Sequence, residues 1–294
     1  MTQNSNIPLN FKDIEDLFEF DFKQICKLLN QARSIILYDT NSYIFHCNKP
    51  NGRYYALDFF NKDDVIIFVE PIIREMKDKR TNKILDWYLG YLKELKNKVK
   101  ALIFIDEKCY IDLLKFGKPS LTNTEVKIKQ AFSSAFQENI ALNTKIDELN
   151  PYEKDFYEKL LNLANSKGNE KNRGEIALFI AVQVLCALKE KANYKICSDD
   201  YAAYSYIVKL TDILENFYPK ANIGYISTLR MIQEIARNND LNYEKTLEYF
   251  DNIKRKEGTK IFIKEIPYDT KRHVFISDKN IAENLINKKI EILF

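Results

Sequence analysis

The chemistry open to this sequence rests on carboxylates. Asp39 closes the aliphatic run Ser34-Ile35-Ile36-Leu37-Tyr38. Glu75 follows a second apolar run, Val65 to Val69, with Pro71 between them suited to the first turn of a helix. Glu175 opens the apolar stretch Ile176 to Leu185, and Asp200, with Asp199 beside it, follows Tyr194 to Cys197. Short continuous apolar runs are typical of buried parallel strands. Ligands of parallel sheets gather beyond the carboxyl ends of the strands. Several acids brought together there repel one another until a cation neutralises them. Oxygen-only ligation selects a hard ion, Mg²⁺ or Mn²⁺. Such an ion can activate water and stabilise an in-line displacement at phosphorus.

Each acid also has a purely structural reading. Asp39 can cap the turn after its strand. Glu75 has basic neighbours, Arg74, Lys77, Lys79 and Arg80, and Glu70 is its rival as the acid presented after the second strand. Glu175 at a helix start suits the helix dipole without any metal. Of Asp199 and Asp200, one serves as a cap or a first-turn acid. His46 and His273 lie in different regions and no Ser or Cys motif accompanies them, so they are not expected to act as a catalytic pair; His46 with Cys47 reads as packing.

The elements that must position these acids follow from periodicity. Residues 11–32 are amphipathic and predict one or two helices before the first strand. Further strands are expected at 101–105, 194–197 and 223–226, and helices at 53–60, 83–98, 124–142, 152–165, 227–238 and 243–256. The helix after Gly174-Glu175 is apolar nearly all round and should be buried. The tail, 259–294, suggests two strands, a helix and a terminal strand. Strands alternating with helices predict a parallel α/β sheet.

Net charge is +3, from 45 basic and 42 acidic side chains, so any nucleic-acid surface must come from local segregation of charge. The basic runs Arg74–Lys83, Lys93–Lys100 and Lys254–Lys260 read as solvated helix faces. The first adjoins a candidate ligand, which makes Arg74 and Lys77 candidates for phosphate contact. Five cysteines form no CxxC and read as reduced thiols. The polar start, Met1 to Asn10, carries no apolar signal run, and no stretch approaches the ~20 apolar residues of a membrane span. A soluble, cytoplasmic protein without a membrane partner is expected.

The motifs resemble those of the PIN-like nuclease family. "ILYDTNSYI" is similar to the family's opening strand and Asp-Thr-Asn. "VIIFVEPIIREM" resembles the second motif, with Glu75 as the match. "NRGEIALFIAV" looks like the third, a Gly-Glu helix start, and "YKICSDDYAA" like the fourth, with Asp200 as the match. The resemblance covers about 35–256, discontinuously, and the stretch between Glu75 and Glu175 is longer than a compact domain of this kind needs. It implies a PIN-like α/β fold, a central parallel sheet flanked by helices. The expected division is a helical segment at 1–33, a nuclease domain at 34–256 with a mostly helical insertion at 81–150, and an α+β extension at 257–294.

The resemblance further implies a divalent-metal-dependent ribonuclease, similar to toxin-type members. Asp39, Glu75, Glu175 and Asp200 would be catalytic and hold Mg²⁺ or Mn²⁺, with Asp199 as an additional ligand. Thr40, Asn41 and Ser198 would orient ligands or contact substrate. RNA or a structured nucleic acid is the implied partner, and an antitoxin, another protein or self-association stays open. The competing reading is a catalytically weak nucleic-acid-binding or interaction module on the same fold. A phosphatase is a third; it would want Asp-x-Asp after the first strand, and Asp39-Thr40-Asn41 lacks the second acid. Within 81–150, Lys93, Lys96, Lys98 and Lys100 suggest a basic wall of the substrate groove.

Overall fold

The computed structural model describes residues 7–166, 173–253 and 260–294. The expected polar loop between Ser166 and Arg173 and most of the basic run Lys254–Lys260 lie outside the described residues.

The chain begins with short 3-10 turns, a two-residue strand β1 (Phe18–Glu19) and helix α1 (Phe22–Gln31). Asp21 caps α1 by accepting the Gln24 N–H at 2.9 Å, which fixes where the helix starts. Then come β2 (Ile35–Tyr38), α2 (Thr40–His46), β3 (Val65–Val69), α3 (Glu70–Glu75), α4 (Asp86–Lys98) and β4 (Ala101–Ile105). Four helices follow: α5 (Tyr110–Gly117), α6 (Thr124–Ala135), α7 (Ile140–Glu148) and α8 (Phe156–Ala164). The second half holds α9 (Arg173–Leu188), β5 (Asn193–Cys197), α10 (Tyr201–Phe217), β6 (Asn222–Ile226), α11 (Thr228–Asn238) and α12 (Tyr243–Asn252). It ends in β7 (Lys260–Glu265), β8 (Lys271–Phe275), α13 (Asp278–Ile286) and β9 (Ile290–Ile292).

Six strands form one parallel sheet in the order β1-β4-β3-β2-β5-β6. Every residue of β2, β3 and β4 is buried, as strands covered on both faces must be. Helix α9 packs on β2 and β3 with α3, α5 and α6 around it. On α2 and α4, Tyr43 and Tyr91 crowd the Tyr38 ring, which stacks on Phe68 of β3 at 5.7 Å. The chain lays β3 and β4 to one side of β2 and then returns to lay β5 and β6 on the other. The β2–β5 junction is therefore the point where strand order reverses, and the crevice opens beyond it.

The structure corrects two domain expectations. Residues 81–150 are not an insertion throughout, because β4 pairs with β3 from Val65↔Ala101 to Val69↔Ile105 and with β1 at Phe18↔Leu102. Only the helices after β4 stand outside the sheet. The segment 1–33 is not wholly helical, since β1 forms the sheet's edge. The lysines proposed as a groove wall are also misplaced. Lys96 and Lys98 close α4, and Lys100 immediately precedes β4, with its N–H bonded to the Asp64 carbonyl ahead of β3 at 2.9 Å. That is the amino edge of the sheet, roughly 17 Å, one strand length, from the carboxyl edge.

The tail folds into a second sheet, antiparallel, in the order β8-β7-β9. It is pinned to α11 where Gln233 Oε1 accepts the Ile292 N–H at 2.6 Å. Among the described residues no helix is long and apolar enough to cross a membrane.

The placement of β4 can be tested by truncation. Leu102 is fully buried between β1 and β3. Leu102→Ala should lower the unfolding free energy by about 2–5 kcal/mol in urea titrations. A loss under about 1 kcal/mol would place the strand outside the core.

Candidate metal centre at the carboxyl edge of the sheet

Parallel strands send their carboxyl ends to one edge, so the residues after β2, β3, β4 and β5 face a common rim. Asp39 sits at the end of β2 with 1% of its surface exposed. Its backbone N–H completes the ladder to the Cys197 carbonyl at 2.9 Å. The side chain does not cap α2. It accepts the Ser198 hydroxyl at 2.6 Å from the end of β5, so the carboxylate bridges the two strands of the switch point. Burial pushes its pKa up to about 7; the charges of Glu175 and Glu75 push it the same way, while Ser198 and the Thr40 N–H oppose.

Glu75 ends α3. Thr40, the first residue of α2, donates to its Oε2 at 2.9 Å. The Gly174 N–H, at the start of α9, also donates to it. A Cβ on Gly174 would lie 2.7 and 2.8 Å from the two Glu75 oxygens, so only glycine lets the helix end close on this carboxylate. Glu75 is an exposed residue, yet the partial desolvation of its carboxyl raises its pKa despite these donors and the nearby Arg173 charge. Glu175, one residue on, is raised by burial and then by the charges of Glu75 and Asp200. Asp200 joins the group from the other side of the junction. Its N–H bonds Ser198 Oγ at 3.2 Å, and its carbonyl accepts the Tyr225 hydroxyl at 3.1 Å.

The charge of Glu175 thus bears on Asp39, that of Glu75 bears on both Asp39 and Glu175, and that of Asp200 bears on Glu175. Asp199 is turned elsewhere. Its carboxylate accepts Ser42 Oγ at 2.6 Å, the Thr228 N–H at 2.8 Å and the Thr228 hydroxyl, which binds the start of α11 to α2. Thr228 Oγ1 in turn meets His46 Nε2 at 2.9 Å, and His46 Nδ1 meets the Tyr38 hydroxyl. His46 is fully buried and its pKa falls to about 3, so it stays neutral. Of the remaining candidates, Thr40 and Ser198 orient acids, as their bonds show, and Asn41 is exposed on α2. Arg74 is tied to Glu70, with Nε 3.0 Å from Oε1, and Lys77 is half-buried with its backbone bridged to Ile84.

A neighbouring centre went unread in the sequence. Glu70 is 1% exposed and bound to Arg74, and its carboxyl is raised by burial and by a hydrogen bond shared with Asp106 after β4. Glu107, also buried, pairs with Arg173. Together with Arg74, Tyr157, Asn162 and Asn165, Glu70 and Glu107 line a cavity of about 410 Å³. Glu107 Oε1, Tyr110 Oη and Arg173 Nη1 find no hydrogen-bond partner among the described residues. The signal was present: the run Ala101–Ile105 ends on Asp106-Glu107, the same strand-then-acid pattern that marks Asp39.

These acids offer oxygen donors, the type that a hard divalent cation takes. Asp39 accepts the Ser198 hydroxyl and feels the charges of Glu75 and Glu175, with no cation paired to it among the described residues. Among the described residues no three His, Cys, Asp or Glu side chains stand as a ready ligand set for a metal ion. Comparison with protein-family profiles, with curated proteins and with solved structures finds no match to this chain.

A raised carboxyl pKa sets the sign of a pH dependence. The folded state disfavours ionised Asp39, so stability is fully present below the unfolded value near 4 and is lost as pH rises through about 7. With divalent ions removed by EDTA, the thermal midpoint should fall across that window. The expected penalty on Asp39 alone is on the order of 4 kcal/mol. Asp39→Asn should flatten the fall and exceed the wild type in stability above pH 7. Parallel pH profiles for the two proteins would overturn this account of Asp39.

Proposed function

We propose that this chain is a divalent-metal-dependent nuclease with a PIN-like fold, acting on RNA in the cytoplasm. One observation carries the reading: a carboxylate buried at the end of the central strand, with the charges of Glu75 and Glu175 bearing on it from two other segments of the chain. A helix-flanked parallel sheet with acids at its reversal point is the architecture such a reading requires. The five cysteines are all free thiols, which suits a reducing compartment.

Asp39, Glu75, Glu175 and Asp200 would hold Mg²⁺ or Mn²⁺. A bound ion of this kind supplies Lewis acidity and a water of lowered pKa for displacement at phosphorus. The chain's own residues supply the preorganisation. Ser198 fixes the Asp39 carboxylate, while Thr40 and the Gly174 N–H fix Glu75. Asp199 keeps α11 against α2 and so holds the rim in shape. RNA or a structured nucleic acid is the substrate in this reading, with an antitoxin-type protein as a candidate regulator.

A second reading is a binding module of weak activity. The lack of a ready three-residue ligand set among the described residues favours it. Cleavage of labelled single-stranded RNA with Mg²⁺, Mn²⁺ or EDTA separates the two. Asp39→Asn should cut the metal-dependent rate by roughly a hundredfold or more while the protein stays folded. Wild-type cleavage by that variant removes the nuclease assignment, and RNA binding by the native chain without metal-dependent cleavage selects the module.

Gly174→Ala gives a finer test. Alanine favours a helix by up to about 1 kcal/mol, and the group its methyl would displace is the end of a flexible side chain. Stability should therefore hold or rise slightly. The displaced Glu75 should lower cleavage roughly tenfold or more. Unchanged cleavage would show that the Glu75 position is not used.

A further inference from the structure

We propose that the outer face of the C-terminal sheet is a platform for single-stranded RNA that leads to the acidic centre; the inference rests on the nuclease reading and extends it to how substrate is held. Side chains alternate along a strand, so every second residue shares a face. On β7, Ile261 and Ile263 point inward and are buried. Lys260, Phe262 and Lys264 occupy the other face. Cross-strand partners on β8 share that face: Phe275 opposite Lys260, His273 opposite Phe262, Lys271 opposite Lys264.

This face carries rings in line with cations. Phe275 is 75% exposed, and His273, Lys260 and Lys271 are exposed. The His273 ring lies 4.7 Å from Phe262 and 5.3 Å from Tyr201, and its Nε2 meets the Tyr201 hydroxyl at 3.0 Å. Tyr201 is 47% exposed and also contacts Phe294 at 5.4 Å. The path of rings Phe275, His273, Tyr201 therefore ends at the residue next to Asp200. Lys264 is bound to Asp269 and stands opposite Glu291, so Lys260 and Lys271 are the cations of the face best placed for an outside anion.

The occupant follows from the chemistry. Lys260 stands opposite Phe275, and Lys271 stands opposite a lysine whose own charge is taken up by Asp269, so the cations the face leaves open to a polyanion are Lys260 and Lys271. His273 and Phe275 sit two residues apart on one face, which presents two rings to successive unpaired bases. A groove of cations plus stacking rings is the general device for single strands. Duplex RNA hides its bases and offers nothing for the rings to stack on. The platform is tied to the acidic rim through Tyr201, which touches His273 and directly follows Asp200 in the chain.

Binding of a fluorescent single-stranded RNA of about 12 nucleotides to the full chain, in EDTA, tests this by anisotropy. Phe275→Ala should weaken affinity roughly fivefold or more with no change in salt dependence. Lys260→Glu with Lys271→Glu should weaken it and lower the log–log salt slope by about 0.7 per lost phosphate contact. Both changes are at exposed positions, and an unaltered thermal midpoint confirms folding. Wild-type affinity in both variants, or equal binding of duplex RNA, overturns the platform and leaves the face to a protein partner. The two readings fail separately. Loss of RNA binding in these variants of a chain that never cleaves RNA removes the nuclease alone. Intact binding in these platform variants, when Asp39→Asn abolishes cleavage by the native chain, removes the platform alone.

Discussion

Taking the Asp39 carboxylate out of water at the end of β2 is costly, and the chain offsets that cost only in part. One hydroxyl and one backbone N–H work for the ionised form. Burial and two further acids work against it. A purely structural aspartate would have been placed as Asp199 is, with every nearby polar group donating to it. The two residues show the difference between an acid that holds a fold together and one kept in tension by it. Stability alone gives no reason to gather Glu75 and Glu175 beside Asp39. The cation of the proposed nuclease would, because it converts the same repulsion into attraction.

The topology makes this gathering unavoidable once the sequence pattern is set. Parallel pairing of β2 with β3 and β5 sends their ends to one rim. Strand order reverses at β2–β5, which leaves a crevice where helices on either side diverge. The residues entering it come from segments as distant as Thr40 and Ser198, yet each bonds an acid there. The buried chain Tyr38, His46, Thr228, Asp199 and Ser42 sits behind the crevice and ties β2, α2 and α11 together. A neutral imidazole suits that place, since a charge there would add to the desolvation already borne at Asp39.

Much of this was legible in the sequence, and the misses have physical causes. The aliphatic runs at 35–38, 65–69, 101–105 and 194–197 could only be buried strands, and the turn residues around them fixed their ends. The tail's two strands, helix and last strand were equally plain. Yet 101–105 was assigned to an insertion, because nothing in a linear pattern tells which strand a strand pairs with. That error hid Asp106 and Glu107, and it sent Lys96, Lys98 and Lys100 to the wrong end of the sheet. Asp199 and Asp200 could not be separated for a similar reason. Which of two adjacent acids faces the crevice depends on where α11 starts, and Thr228 sets that.

Helices α3 and α9 couple the acidic rim to the cavity beside it. On α3, Glu70 turns to Arg74 and Asp106, while Glu75 turns to Thr40 and Gly174. On α9, Arg173 binds Glu107, while Gly174 and Glu175 belong to the rim. The Arg173 guanidinium also lowers the Glu75 pKa, so one cation serves both groups. Any shift of α9 along its axis would therefore move Glu175 at the rim and Arg173 at the cavity in concert. The same helix is buried against β2 and β3 and is apolar nearly all round, which resists such a shift. Rigid packing of α9 thus holds Glu175 at the rim and the Arg173–Glu107 pair at the cavity in a fixed relation to one another.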